Sequence, residues 1–76
     1  MKEILEYIAR NLVDDPDAVQ VIEERSESSV AFRLTVAPDD VGKVIGRGGR
    51  TARAIRSVMR AAGVRAGVST SVEIVG

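Results

Sequence analysis

The sequence has no cysteine, no histidine and no tryptophan among its 76 residues. Without cysteine it has no disulfide framework, no thiolate zinc site and no cysteine nucleophile. Without histidine it lacks the commonest general base, the commonest metal ligand and any Ser-His triad. The composition therefore argues against an enzyme, and we expect no catalytic residues, no metal and no cofactor.

Long hydrophobic runs are also missing. No apolar stretch approaches the ~18 residues that span a bilayer, and Glu3 and Glu6 interrupt the first apolar positions, unlike a secretory signal. We expect a cytoplasmic protein without membrane contact, forming one domain over residues 1–76. A chain of this length buries only about 60–65% of its unfolded surface, so a partner subunit would add stability.

The charges balance in number but not in position. Residues 1–40 carry four basic and ten acidic residues, a net charge of −6, and residues 41–76 carry seven basic residues and one acid, a net charge of +6. Six of those seven basic residues are arginines, whose planar guanidinium suits phosphate. This segregation indicates a polyanion-binding surface in the second half of the chain.

The first half shows the pattern of a helix followed by two strands. A helix is predicted over residues 2–13, ended by the acidic segment around Pro16. A β-branched segment follows from Val19, then a loop at about residues 25–29, then a strand that alternates from Val30 to Val36. The predicted core-facing stripe of the helix consists of four apolar residues: Ile4, Leu5, Ile8 and Leu12.

The second half shows two helices and a final strand, which gives the order α-β-β-α-α-β. Asp39 is the predicted N-cap of a short helix over residues 40–45. The next helix is predicted from Arg50 to Ala62, closed by Gly63, and the last strand over residues 68–75.

Three glycines lie among the four residues that join these helices. Gly46 is free to take a positive φ at the end of the first helix, and Gly49 begins the second without a side chain in the way. Such a loop lets a phosphate backbone approach the N–H groups at the helix start. An ordinary turn is the simpler alternative. A dinucleotide loop fits poorly, because Thr51 replaces its third glycine and no strand directly precedes it.

Basic residues surround this loop. Lys43, Arg47, Arg50 and Arg53 are the predicted phosphate contacts. Further along the helix, Arg56 and Arg60 fit either phosphate binding or ion pairs with acids of the first half. Arg65 is interpreted as a loop charge, and the aspartates at 14, 15 and 17 as a helix-ending loop in preference to a cation site.

The stretch Val44 to Ile55 resembles the KH-domain signature, an aliphatic pair followed by GXXG and a helix. Gly46 and Gly49 match its two glycines, and Arg53 matches a basic position of the following helix, while Ala52 replaces a bulkier aliphatic residue. The whole chain resembles the small bacterial KhpA family. The resemblance implies an α+β type II KH domain with three helices on one face of a three-stranded mixed sheet, its core over residues 30–76 and its GXXG loop at 46–49.

The resemblance further implies a function. It implies that single-stranded RNA, about four nucleotides, lies beside the loop. The family is associated with homodimers, with a larger KH-containing RNA-binding partner, and with RNA chaperoning, post-transcriptional control, cell shape and envelope homeostasis. The implied RNA-binding residues are Lys43, Ile45, Gly46, Arg47, Gly48, Gly49, Arg50 and Arg53. The implied groove residues are Val36, Val41, Val44 and Ala52. The alternative is a protein-interaction module for which RNA is secondary.

Overall fold

The computed structural model describes residues 1–76 and contains three α-helices and three strands. In chain order they are α1 (Lys2–Leu12), β1 (Gln20–Arg25), β2 (Ser29–Thr35), α2 (Val41–Ile45), α3 (Arg50–Ala66) and β3 (Ser69–Val75). Short 3-10 turns occupy Pro16–Ala18, Pro38–Asp40 and Arg47–Gly49. The predicted element order is confirmed. No helix has the length and apolar content needed to cross a membrane.

The strands form one mixed sheet in the order β1-β2-β3. β1 and β2 are antiparallel, with Val21 opposite Leu34, and β2 and β3 are parallel, with Phe32 opposite Val72. A parallel pair needs a long crossover, which α2 and α3 provide. The alternating side chains of β2 that face the helices are buried, which confirms the predicted α+β architecture with all helices on one face.

The core face of α1 differs from the predicted stripe. Leu5 and Ala9 are fully buried, one turn apart, whereas Ile4 and Leu12 are 41% and 37% exposed. The prediction from helical spacing was wrong for Ile4 and Leu12, which lie at the margin of the buried face. The helix presents its i, i+4 pair to the sheet, and small Ala9 allows a close approach.

The end of α3 was also predicted wrongly. The helix passes through Gly63 to Ala66, and Gly67, at φ 75°, is the left-handed residue that closes it. A Cβ at Gly63 would lie 2.6 Å from Cγ2 of Thr70 and 2.8 Å from the carbonyl oxygen of Val68. Gly63 therefore permits close packing of α3 on β3 and does not stop the helix.

Two further boundaries differ from expectation. β1 continues to Arg25, so the connecting turn is shorter than the predicted loop over 25–29. Asp39 is not a cap, since the preceding segment forms a 3-10 turn and α2 begins at Val41 without a side-chain capping bond. The neighbouring Asp40 is buried and directs its carboxylate toward another part of the chain.

Candidate nucleic-acid interface

The glycine loop between α2 and α3 has a backbone that depends on its glycines. Gly46, Gly48 and Gly49 have φ values of 76°, 64° and 78°, and no residue other than glycine in the chain has a positive φ. A Cβ at Gly46 would collide with Oγ1 of Thr51 and lie 2.9 Å from its backbone nitrogen. Around Gly48 the space is open, with nothing within 4 Å of an added Cβ. The loop therefore presents bare backbone at Gly48.

The N–H groups of the loop are not all available. The Gly49 N–H donates to the carbonyl oxygen of Gly46 at 3.1 Å, and the Arg50 N–H donates to the carbonyl of Arg47. None of the turn and loop hydrogen bonds uses the Gly48 N–H. Within the loop, the N–H groups of Arg47 and Gly48 are therefore the two without a backbone acceptor.

Arg53 contacts the loop itself. Its Nη1 donates to the carbonyl oxygen of Gly48 at 3.0 Å, one turn into α3. That bond engages a loop carbonyl with a fixed donor, while the other N–H groups of the guanidinium remain available. The structure thus adds a role for Arg53 beyond the predicted phosphate contact, namely holding the loop in shape.

The remaining arginines of the second half have no acidic partners. Arg47 and Arg50 are exposed beside the loop and form no ion pair, and neither do Arg56 and Arg60 further along α3. The alternative in which these last two pair with acids of the first half is therefore wrong. Arg65 lies in the last turn of α3, not in a loop.

Lys43 behaves differently from the arginines. Its Nζ lies 3.1 Å from Oδ2 of Asp14 and 3.6 Å from Oδ1 of Asp40, so two carboxylates share its charge. The hydrogen bond and charge of Asp14, with a smaller contribution from Asp40, raise the pKa of Lys43 above its usual value. Lys43 is close to the loop in sequence, but its charge is largely offset.

Asp40 is a residue whose role the sequence pattern did not reveal. It is 2% exposed, and its Oδ2 accepts the N–H of Asp15 at 3.1 Å. Burial alone would raise the pKa of Asp40, but hydrogen bonds from the N–H groups of Asp15 and Asp14 and the charge of Lys43 together hold it below its usual value. This carboxylate joins the end of α1 to the start of α2. In the sequence, the only feature that marks Asp40 is its position in the acidic pair that follows Pro38.

The predicted groove residues divide into two groups. Val36, Val44 and Ala52 are buried core residues, so they support the surface from below and do not present side chains to a base. Their apolar side chains are packed in the interior. The spacing of apolar residues in the sequence did not show which of these side chains are buried and which are exposed. Val41 is half-buried and Ile45 is 38% exposed, so these two supply the apolar surface beside the loop.

Known proteins resemble this chain over nearly its whole length. The family model described as "KhpA/KhpB, KH domain" matches residues 2–74. The chain is 53% identical to the RNA-binding protein KhpA of Clostridium acetobutylicum over 99% of this chain and all of the relative, and 48% identical to that of Clostridium perfringens over the same shares. The RNA-binding protein KhpA of Chlamydia trachomatis is 45% identical over 97% of this chain and 95% of its own length. No solved structure matches. With a family match over nearly its whole length and relatives of the same size, this chain belongs to the KhpA/KhpB family of KH domains.

Proposed function

We propose that this chain binds single-stranded RNA through the glycine loop at residues 46–49. The observation that carries the proposal is the open backbone at Gly48, flanked by Arg47 and Arg50 with no acid paired to either. Its relatives are named RNA-binding proteins. The function is binding and not catalysis, in keeping with a KH-domain family.

The binding mechanism combines backbone geometry and charge. A phosphate approaches the Gly48 N–H, and the guanidinium groups of Arg47 and Arg50 hold it from either side. Arg53 keeps the loop in the required shape through the Gly48 carbonyl. Bases lie on the apolar surface of Ile45, with aliphatic packing in place of aromatic stacking, since the chain has only one tyrosine and one phenylalanine.

The test is the double substitution Arg47→Asp, Gly48→Asp. It places two carboxylates where the phosphate would lie, so binding of a fluorescent single-stranded RNA should be lost in an anisotropy titration. We expect the fold to survive with local strain, because both positions are exposed and an added Cβ at Gly48 meets no atom within 4 Å, although its φ of 64° favours glycine. The melting temperature of the variant checks this. For the wild type, three or four phosphate contacts predict a slope of about −2 to −3 for log K against log salt.

A matched control is available at the other end of α3. Arg65→Asp, Gly67→Asp makes the same charge change and also replaces a glycine of positive φ (75°) with open space around it. This control should retain RNA binding. Equal loss in both double variants would show that total charge, and not the loop, determines binding.

We further propose a cytoplasmic role as an RNA chaperone or post-transcriptional regulator, linked to cell shape and envelope homeostasis. One domain that spans about four nucleotides binds weakly, so a homodimer or a larger KH-containing partner would raise the effective affinity. The family description, which joins KhpA and KhpB, supports a related partner. Co-purification from cells, followed by sequencing of bound RNA, tests both parts.

The second candidate function is a protein-interaction module with RNA binding secondary. Large apolar side chains at the surface favour it, since Tyr7 and Val64 are 71% and 72% exposed. Crosslinking of the purified protein to short single-stranded RNA at low and high salt separates the two. Self-association without salt-sensitive RNA crosslinks would favour the interaction module.

A further inference from the structure

The two edges of the sheet differ in how their backbone groups are occupied. At the β3 edge, Nε and Nη2 of Arg56 both donate to the carbonyl oxygen of Val72 at 3.2 Å. Arg56 and Arg60 also line a basic cleft of about 230 Å³ between α3 and β3. At the other edge, β1 pairs with β2 on its inner side only, and no turn, loop or side-chain hydrogen bond uses its backbone. The outward N–H and C=O groups of β1 therefore have no partner within the chain.

β1 has the form of a strand that can accept a neighbour. Its six residues include no proline and no glycine, and the register with β2 runs without interruption from Gln20 opposite Thr35 to Arg25 opposite Val30. A regular edge strand offers donors and acceptors from every second residue. Ile22, in the middle of β1, is 49% exposed on the sheet face that the helices leave open. An extended peptide along β1 would pair with its backbone and cover this side chain.

The charges at this edge determine which kind of peptide fits. Glu24 is exposed and forms no ion pair, and the exposed acids Asp17 and Glu27 lie before and after the strand. The one basic residue of β1 is already paired, since Nη2 of Arg25 lies 3.4 Å from Oε2 of Glu23. Charge complementarity therefore favours a basic partner. A second copy of this chain would bring the same acids to the contact, where like charges repel.

We propose that the outer edge of β1 binds an extended basic peptide segment of another protein, which joins the sheet as a further strand. The main chain of the peptide bonds to the outward N–H and C=O groups of β1, and its lysine or arginine side chains lie near Glu24 and the acids that flank the strand. This surface goes beyond the proposed function, because it includes no residue of the glycine loop or of α3.

The test uses RNA-free protein and two capped octapeptides of alternating lysine and valine. One is unmodified. Its twin is N-methylated at two adjacent central residues, which removes a donor from each edge of the peptide and leaves its charge and side chains unchanged. The unmodified peptide should slow hydrogen exchange at alternate amides within residues 20–25, measured by NMR. In a calorimetric titration, the methylated twin should bind about fivefold more weakly or worse.

Two variants of the protein test the contribution of charge. Glu24→Lys reverses an unpaired charge on β1 and should weaken the unmodified peptide about threefold to fivefold. Asp39→Lys is the matched control, because Asp39 is also an exposed acid without an ion pair. It follows Pro38, which lies beside Gly76 just beyond the end of β3, at the other edge of the sheet. This control should bind the peptide within about twofold of wild type. Unchanged melting temperatures confirm that both variants fold.

Three results would overturn the inference. Equal binding of the two peptides would show that charge alone attracts them, without strand pairing. Equal effects of Glu24→Lys and Asp39→Lys would place the peptide away from β1. Protection of the β1 amides that rises with protein concentration in the absence of peptide would assign the edge to a second copy of the chain.

Discussion

The two sides of the glycine loop carry the same sign of charge but present it in opposite ways. On the α2 side, Lys43 lies between Asp14 and Asp40, and its ammonium is shared by two carboxylates. On the α3 side, Arg50 and the arginines that follow form no ion pair. Where these arginines are held, as at Arg53 and Arg56, the acceptor is a backbone carbonyl, which leaves the positive charge in place.

This difference separates cations that stabilise the fold from cations that attract a polyanion. A carbonyl fixes a guanidinium without neutralising it, so the side chain is positioned and still charged. A carboxylate positions the cation and also offsets its positive charge. We therefore expect substitutions on the α2 side to change the stability of the fold, and substitutions on the α3 side to change RNA affinity.

The largest effect is expected at Asp40. The carboxylate of Asp40 accepts the Asp15 N–H and faces Lys43. Asp40→Asn removes its negative charge, so the melting temperature at pH 7 should fall by about 5–10 °C. Because the folded pKa of Asp40 lies below its unfolded value of 3.8, its contribution is complete above that pH and is lost as the pH falls through the folded pKa.

Thermal melts at pH 7 and at stepwise lower pH check this expectation. The gap between wild type and Asp40→Asn should narrow as the pH falls below 3.8, because the unfolded chain then binds a proton at Asp40 before the folded protein does. Asp39→Asn is the control, since Asp39 is the exposed neighbour without a side-chain hydrogen bond or ion pair. A gap that stays constant with pH would show that Asp40 stabilises by shape and not by charge.

An intermediate effect is expected when one cation on each side of the loop is replaced by glutamine and the two variants are compared. Arg50→Gln should lower RNA affinity about threefold to tenfold and the salt slope by about 0.7, with the melting temperature within about 2 °C of wild type. Lys43→Gln should instead act mainly on stability: we expect the melting temperature to fall by a few degrees and the RNA affinity to fall by less than about twofold. Anisotropy titrations at several salt concentrations, paired with melts, measure both. If Lys43→Gln reduces the salt slope as much as Arg50→Gln, the two sides of the loop are equivalent.

The smallest effect is expected from freeing the ammonium of Lys43. Asp14 is exposed and accounts for the shorter of the two contacts, so Asp14→Asn should raise RNA affinity by less than about threefold. Asp17→Asn removes an equal charge from the same connection without touching Lys43. A similar gain in the Asp17 variant would assign the effect to net charge.

Local patterns were enough to predict the element order and the loop. The alternation through Phe32 and Leu34, and the glycines at 46 and 49 between two helical patterns, each depend on residues near in sequence. The errors lay where a distant residue decides. Glycine is typical of a helix end, yet Gly63 lies inside α3, where its missing side chain allows the close approach of Thr70. Asp39 and Asp40 look alike as acids before a helix, but only Asp40 is buried, accepts the N–H of Asp15 and faces Lys43.

The sequence by itself determined the fold class, the position of the glycine loop and the basic half that surrounds it. Periodicity, glycine geometry and charge order are properties of neighbouring residues, and they do not require the chain to be folded. The tertiary structure decided which cations have acidic partners, which of the valines predicted for the groove are buried, and that Arg56 is held on Val72 beside a second basic cleft. Those properties depend on partners 16 to 29 residues away in the chain, as for Arg56 with Val72 and Lys43 with Asp14, because burial and pairing are set only when distant segments pack together.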